Sequence, residues 1–248
     1  MASSGSRREA LRRLQEAEER ARRTKRITIA SVVTVAVVVV VIVAVVLIQA
    51  LSGAKISEDQ QRPPNATAGH GILVGGKQPS DGVPHLVMYG DYLCPACADA
   101  ESVFGSTILT LVSDGSMTAE VRQAHFKDGA ATMGPSKKAA VAAAAADSVG
   151  RFDAYHAGLF ASQQTGFPDE FLRETLPAQI GMEGEELTRF QALFDEVAFN
   201  DFTDEADVSL EAAGVSSTPT YLVGETKLDL ATIGATPEEF LAAVRDAA

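Results

Sequence analysis

The chain has 248 residues, 46% of them hydrophobic and 22% charged, a composition that excludes both a disordered and a collagen-like chain. Its net charge of -12 is unevenly divided: residues 1–26 hold 9 Lys/Arg against 4 Asp/Glu, while residues 50–248 hold 12 against 29. The basic part is therefore a tail, and an acidic body with no basic stripe among aromatics gives no footprint for nucleic acid.

Residues 27–48 form a run of 22 without a charge, eleven of them Val. As a helix the run is about 33 Å long, enough to cross a hydrocarbon core of about 30 Å. We assign residues 27–49 to a transmembrane helix in the lipid bilayer and favour an uncleaved anchor over a signal peptide, whose apolar region is usually only about 7 to 15 residues. Arg20, Arg22, Arg23, Lys25 and Arg26 precede the run, and Glu58 and Asp59 follow it closely. The positive-inside rule then predicts a cytoplasmic tail at residues 1–26 and a body outside the cell membrane. Residues 50–69 are polar, with Pro63 and Pro64 in series, and read as a linker. Asn65-Ala66-Thr67 matches a glycosylation sequon, to which we assign no role.

From residue 70 the chain alternates short apolar runs with helical patterns. Strands are predicted at Gly71–Val74, His85–Tyr89 and Ala119–Phe126, with a helix over 95–112 that has Val103, Ile108 and Leu111 available for one face. From Ser136 to Gly214 the pattern is helical: 137–149, with seven alanines among residues 139–146, then 152–163, 169–180, 185–194 and 202–213. Thr220–Val223, a turn at Gly224, Lys227–Leu230 and a helix over 237–244 capped by Thr236 complete the chain. The order is βαβ, a helical insert, then ββα.

The body is large enough to bury a core without covalent staples, so Cys94 and Cys97 need another explanation. They lie in Tyr92-Leu93-Cys94-Pro95-Ala96-Cys97, between a predicted strand and a predicted helix. A zinc site needs four ligands, and His70, His85, His125 and His156 are scattered along the chain. A disulfide closing so short a loop stabilises little. A redox pair fits best: with Cys94 at the N-cap and Pro95 at the first helical position, the Cys94 sulfur is expected to face the free N–H groups of Ala96 and Cys97, which favour thiolate. Cys97, one turn further on, is expected to be buried and to resolve the mixed disulfide that Cys94 forms. Asp91 is either a proton acceptor near the pair or, the reading we favour, a surface residue at a strand end; Glu101 is read as a solvated helix position, and His125 and His156 as ordinary fold positions. Phe152, Tyr155, Leu159 and Phe160 are assigned to a helical core face.

The segments YGDYLCPACADAES, AAVAAAAADSVGRFDAYHAGLF and GVSSTPTYLVG resemble, in order and spacing, the DsbA-like thiol-disulfide oxidoreductases. The resemblance implies an α/β thioredoxin-like fold with an inserted helical domain: a first part at 70–130, an insertion at 131–196 and a second part at 197–248. It implies that Cys94 and Cys97 are the active pair, that Pro95 and Ala96 are its dipeptide, and that Thr218 and a cis Pro219 bind substrate beside them. Exported cysteine-containing proteins and a membrane redox partner are the implied partners; no cofactor or metal is expected. Where the best-known members have histidine, this chain has Ala96, so one contact that stabilises the thiolate is missing. The direction implied is oxidation, with reductase, isomerase or a thiol-based metal-binding module as alternatives.

Overall fold

The computed structural model describes residues 61–248. Five strands, β1 (Ile72–Leu73), β2 (His85–Asp91), β3 (Thr118–Ala124), β4 (Thr220–Val223) and β5 (Thr226–Lys227), form one sheet in the order β1-β3-β2-β4-β5. Only β2 and β3 are parallel, from His85 against Thr118 to Asp91 against Ala124. Joining parallel neighbours requires a crossover, and α1 (Pro95–Ser113) supplies it. β4 runs antiparallel to β2, with Tyr89 opposite Thr220. That register brings the residues just before β4 alongside the end of β2, where α1 begins.

α1 packs with α7 (Pro237–Asp246) on one face of the sheet. Its buried side is Cys97, Ala100, Phe104, Thr107, Ile108 and Leu111, with Val112, a helical spacing. Val103 is 47% exposed and is not on that face; it lies one residue before Phe104, which meets Phe240 of α7 at 5.3 Å between ring centroids. Thr236 caps α7, accepting from the Glu239 amide while its hydroxyl donates to the Glu239 carboxylate. On the other face Tyr89, Ala124 and Leu210 form a small second cluster, Leu210 coming from α6 (Asn200–Ala212).

Between β3 and α6 come α2 (Pro135–Asp147), α3 (Phe152–Ala161), α4 (Leu176–Gln179) and α5 (Gly184–Asp195). Every alanine of the 139–146 run is buried; such small side chains let helices approach closely. The helix expected over 169–180 is present from 169 to 179, with a π-helical turn, Phe171–Thr175, set within it before α4. Pro177 has no N–H to offer the Arg173 carbonyl, which accepts from Gln191 Nε2 at 3.3 Å. The strand expected at 227–230 stops at Lys227 because Asp229 starts a turn, its carboxylate and carbonyl accepting from the amides of Ala231 and Thr232. β3 likewise ends before Phe126, which lies in a 3₁₀ turn and is 46% exposed.

Residues 62–70 are held to the body. Arg62 and His70 both meet Glu205 of α6, and the Asn65 amide groups donate to Asp147, each at 2.8 Å. The sequon asparagine thus has a structural partner. Among the described residues no helix is long and apolar enough to cross a membrane; the span assigned to 27–49 and the tail at 1–26 lie outside the described residues.

Candidate active site

Cys94 has extended backbone angles and caps α1, with Pro95 at the first helical position. The structure brings Cys94, Cys97, Thr218 and Pro219 together, and the Thr218–Pro219 peptide bond is cis. The Cys94 sulfur does not cap the helix as expected. Its thiol points to the carbonyl oxygen of Thr218, 3.5 Å away, because the β2–β4 register delivers that carbonyl to the mouth of the turn. Pro95 and Ala96 are exposed beside it.

Burial does not separate the cysteines, Cys94 being 5% and Cys97 4% exposed. Their surroundings do. Burial pushes the Cys97 thiol up to about 12, against the opposing pull of the Thr218 side chain and the Asp91 backbone beside it. A sulfur so placed is held as thiol.

Asp91 is not on the surface. It is fully buried and accepts from the amides of Leu93 and Lys127 and from the Ser136 hydroxyl. Burial raises its pKa despite these bonds. Its carboxylate fastens three segments: the active-site turn, the loop after β3 and the start of α2.

Beneath Cys97 is a cavity of about 20 Å³ lined in part by Gly90, Cys97, Glu101, Gln123, His156 and Phe160. This is room for one water molecule. The Oε1 atom of Gln123 is buried there with no hydrogen-bond partner among the described residues. Glu101 is not a solvated position: its side chain is 18% exposed and lies 3.5 Å from His156 Nε2. Burial alone would raise the Glu101 carboxyl, but the charge and hydrogen bond of His156 outweigh it and hold the group below its ordinary value. Nor is His156 an ordinary fold position. It is 9% exposed, shares a hydrogen bond of 2.9 Å with the Tyr92 hydroxyl through Nδ1, and packs edge-on against Tyr92 and Phe160. Phe152, Tyr155, Leu159 and Phe160 are buried as expected, but Phe160 also walls the cavity.

A second cleft of about 220 Å³ shares Met88, Glu101, Val121 and His156 with the first and reaches exposed Ser106, Leu109 and Ala157. The Glu101–His156 pair therefore stands between the buried sulfur and the surface. Sequence reasoning passed over this pair and Gln123; the i, i+4 spacing of Cys97 and Glu101, which places them on one helix face, was the available signal. His125 lies apart, 3.2 Å from Asp204.

A sheet of this order, with a two-cysteine turn at the start of its first long helix and a cis-proline against it, defines a thioredoxin-fold protein with an inserted helical domain. The family model described as "Thioredoxin" matches residues 70–246, and the chain belongs to that family. Solved structures agree. The MdbA thiol-disulfide oxidoreductase of Actinomyces oris is 19% identical over 77% of this chain and 94% of its own, with a TM-score of 0.63. The MdbA protein of Corynebacterium diphtheriae, 18% identical, is covered over its whole length and covers 79% of this chain, with a TM-score of 0.59. The reduced disulfide bond oxidoreductase DsbG of Mycobacterium tuberculosis is 25% identical over 73% of this chain and 89% of its own, with a TM-score of 0.55. No curated protein matches the sequence.

Proposed function

We propose that this chain is a membrane-anchored, extracytoplasmic thiol-disulfide oxidoreductase that oxidises cysteines of exported proteins. The observation that carries the reading is the asymmetric pair: Cys94 at the mouth of the site against Thr218, and Cys97 beneath it with its thiol pushed up to about 12. The solved relatives named as thiol-disulfide oxidoreductases support the chemistry. The anchor and the exterior location rest on the uncharged run and the flanking charges of the sequence.

In the oxidising direction a substrate thiolate attacks the Cys94 sulfur of the Cys94–Cys97 disulfide. The bond between the two cysteines breaks, and Cys97 leaves with the electron pair and takes up a proton. The second substrate thiolate then attacks the substrate sulfur of the mixed disulfide and releases Cys94 as thiolate. Two electrons have passed to the pair, and a membrane redox partner removes them. The proton for Cys97 has a short route through the cavity that Gln123 and the Glu101–His156 pair line. In the reverse direction the same pair accepts the proton as Cys97 becomes the attacking thiolate.

The test is the reduction potential of the Cys94/Cys97 pair. With Ala96 in place of histidine, it is expected between about -120 mV and about -270 mV, the values of a strong periplasmic oxidant and of thioredoxin. Ala96→His is expected to raise it. A potential at or below the thioredoxin value, with electrons flowing from this protein to its substrates, overturns the oxidase and establishes a reductase.

A further inference from the structure

The turn that carries the nucleophile is held by its own backbone and by the Asp91 carboxylate, which accepts from the Leu93 amide, except at one carbonyl. The Cys94 amide donates to the Asp91 carbonyl at 2.9 Å, and the Cys94 carbonyl already accepts from the amides of Cys97 and Ala98 at 3.0 and 3.2 Å. Tyr92 is fully buried, and among the described residues no main-chain donor reaches its carbonyl. Gln163 does. Its Nε2 atom lies 2.8 Å from the Tyr92 carbonyl and 3.0 Å from the Cys94 carbonyl, so its two amide protons form a fork across the turn.

Gln163 opens a 3₁₀ turn just after α3, in the helical insertion rather than in the part of the chain that builds the sheet. One arm of the fork satisfies a carbonyl that would otherwise be buried and unpaired. The other arm goes to a carbonyl that already has two donors, and satisfaction does not explain it. What both arms do together is fix the separation and tilt of the peptide units on either side of Leu93, and with them the direction of the Cys94 Cα–Cβ bond.

We propose that Gln163 is a positioning residue of the redox site, through which the helical insertion holds the Tyr92–Cys94 turn and presents the Cys94 sulfur for disulfide exchange. The inference takes Cys94 as the exchanging sulfur from the reading above. It adds a task for the insertion: the insertion aims the nucleophile as well as covering the sheet. Pre-organisation of this kind acts on rate, because a misdirected nucleophile must be reoriented at each encounter.

The test uses the full chain with Gln163→Met, which keeps the length of the side chain and removes both donors, and Gln163→Glu, which puts a carboxylate against two carbonyl oxygens. The readout is the rate of alkylation of Cys94 by iodoacetamide in the reduced protein, taken as a ratio to wild type at each pH, with disulfide transfer to a reduced unfolded substrate measured in parallel. Gln163→Met is expected to lower the alkylation ratio about tenfold at every pH. Gln163→Glu is expected to lower it as much at neutral pH and to recover as the carboxyl group protonates and regains one donor. A purely structural side chain produces no such recovery. Ratios within twofold of wild type for both variants at all pH values overturn the proposal. If Gln163→Met fails to fold, the pH dependence of the Gln163→Glu ratio decides alone. A wild-type protein that transfers no disulfide while the alkylation ratios behave as expected overturns the oxidoreductase reading and leaves the role of Gln163 standing.

Discussion

The thiol of Cys94 donates to the carbonyl oxygen of Thr218, 3.5 Å away in space and 124 residues later in the chain. The sheet makes this contact. Tyr89 of β2 lies opposite Thr220 of β4, so the chain entering β4 must pass the end of β2, whatever has been inserted between. Cys94 is thereby referred to the rigid centre of the molecule through the sheet, in addition to its tie to the insertion through Gln163.

Removing the sulfurs one at a time separates their roles. Cys94→Ser is expected to abolish dithiol oxidation. Cys97→Ser leaves Cys94 able to attack a substrate disulfide but removes the thiol that would resolve the adduct from this side, so mixed disulfides accumulate and are seen as adducts on a non-reducing gel. Adducts trapped through Cys97, with Cys94 inert, would reverse the assignment.

Glu101→Gln and His156→Gln test the proton route. In the reverse direction, with reduced protein and a disulfide substrate, each is expected to slow resolution of the mixed disulfide by Cys97 about 10²-fold, the lower part of the range for general acid–base catalysis, with little change in the rate at which Cys94 forms it. Stopped-flow measurement across pH distinguishes the two steps. In the variants resolution should rise with pH over the whole range, because hydroxide must take the proton; an unchanged profile would remove the pair from the mechanism.

Gly105→Ala offers a test with opposed signs. Gly105 is inside α1, where alanine is favoured by about 1 kcal/mol. A Cβ at that position would overlap the Glu101 carboxylate, which lies over the glycine. The variant is therefore expected to resolve mixed disulfides as slowly as Glu101→Gln. Its unfolding midpoint should at the same time show no loss as large as cavity formation produces. Wild-type resolution in Gly105→Ala would mean that the carboxylate needs no fixed place.

Glu120 gives the acid dependence of stability. It is 2% exposed and pairs with Arg122 and His85. Burial alone would raise its pKa, but hydrogen bonds from His85 and Thr67 and the charge and hydrogen bond of Arg122 outweigh it and lower the group from its unfolded value of 4.5. A depressed carboxyl contributes stability that is complete above the unfolded value and is lost as pH falls through the folded one. Glu120→Gln is expected to cost about 1 to 3 kcal/mol at neutral pH. The gap between the variant and wild type should close as pH falls below the unfolded value of 4.5 and through the lower folded one. Chemical denaturation at several pH values measures it, and a constant gap would contradict the sign.

Much of this was legible in the sequence, and what was missed has a common cause. The strands at 85–89 and 220–223, the Cys94 cap with Pro95, and the Thr236 cap are local patterns, and each is set within a few residues of itself. The juxtaposition of Cys94 with Thr218 and Pro219 became readable only through the family resemblance. Asp91, Glu101 and His156 were misjudged because their surroundings are supplied from far along the chain: Ser136 for Asp91, and α3 for Glu101. A charged residue on a helix is ordinarily solvated, and nothing in the neighbouring sequence says that another helix will cover it. The π-helical turn inside the helix expected at 169–180 has a local cause, since Pro177 interrupts its ladder.

The sheet closes at each side with a strand of two residues, Ile72–Leu73 and Thr226–Lys227. Long open edges invite other chains to extend the sheet, and natural proteins blunt them by making the outermost strands short. For a protein whose proposed partners arrive unfolded, this brevity is a safeguard. An incoming chain finds too few unpaired amides at either border to settle there as a sixth strand, so a partner can be held beside Cys94 and then let go, without becoming the seed of an aggregate.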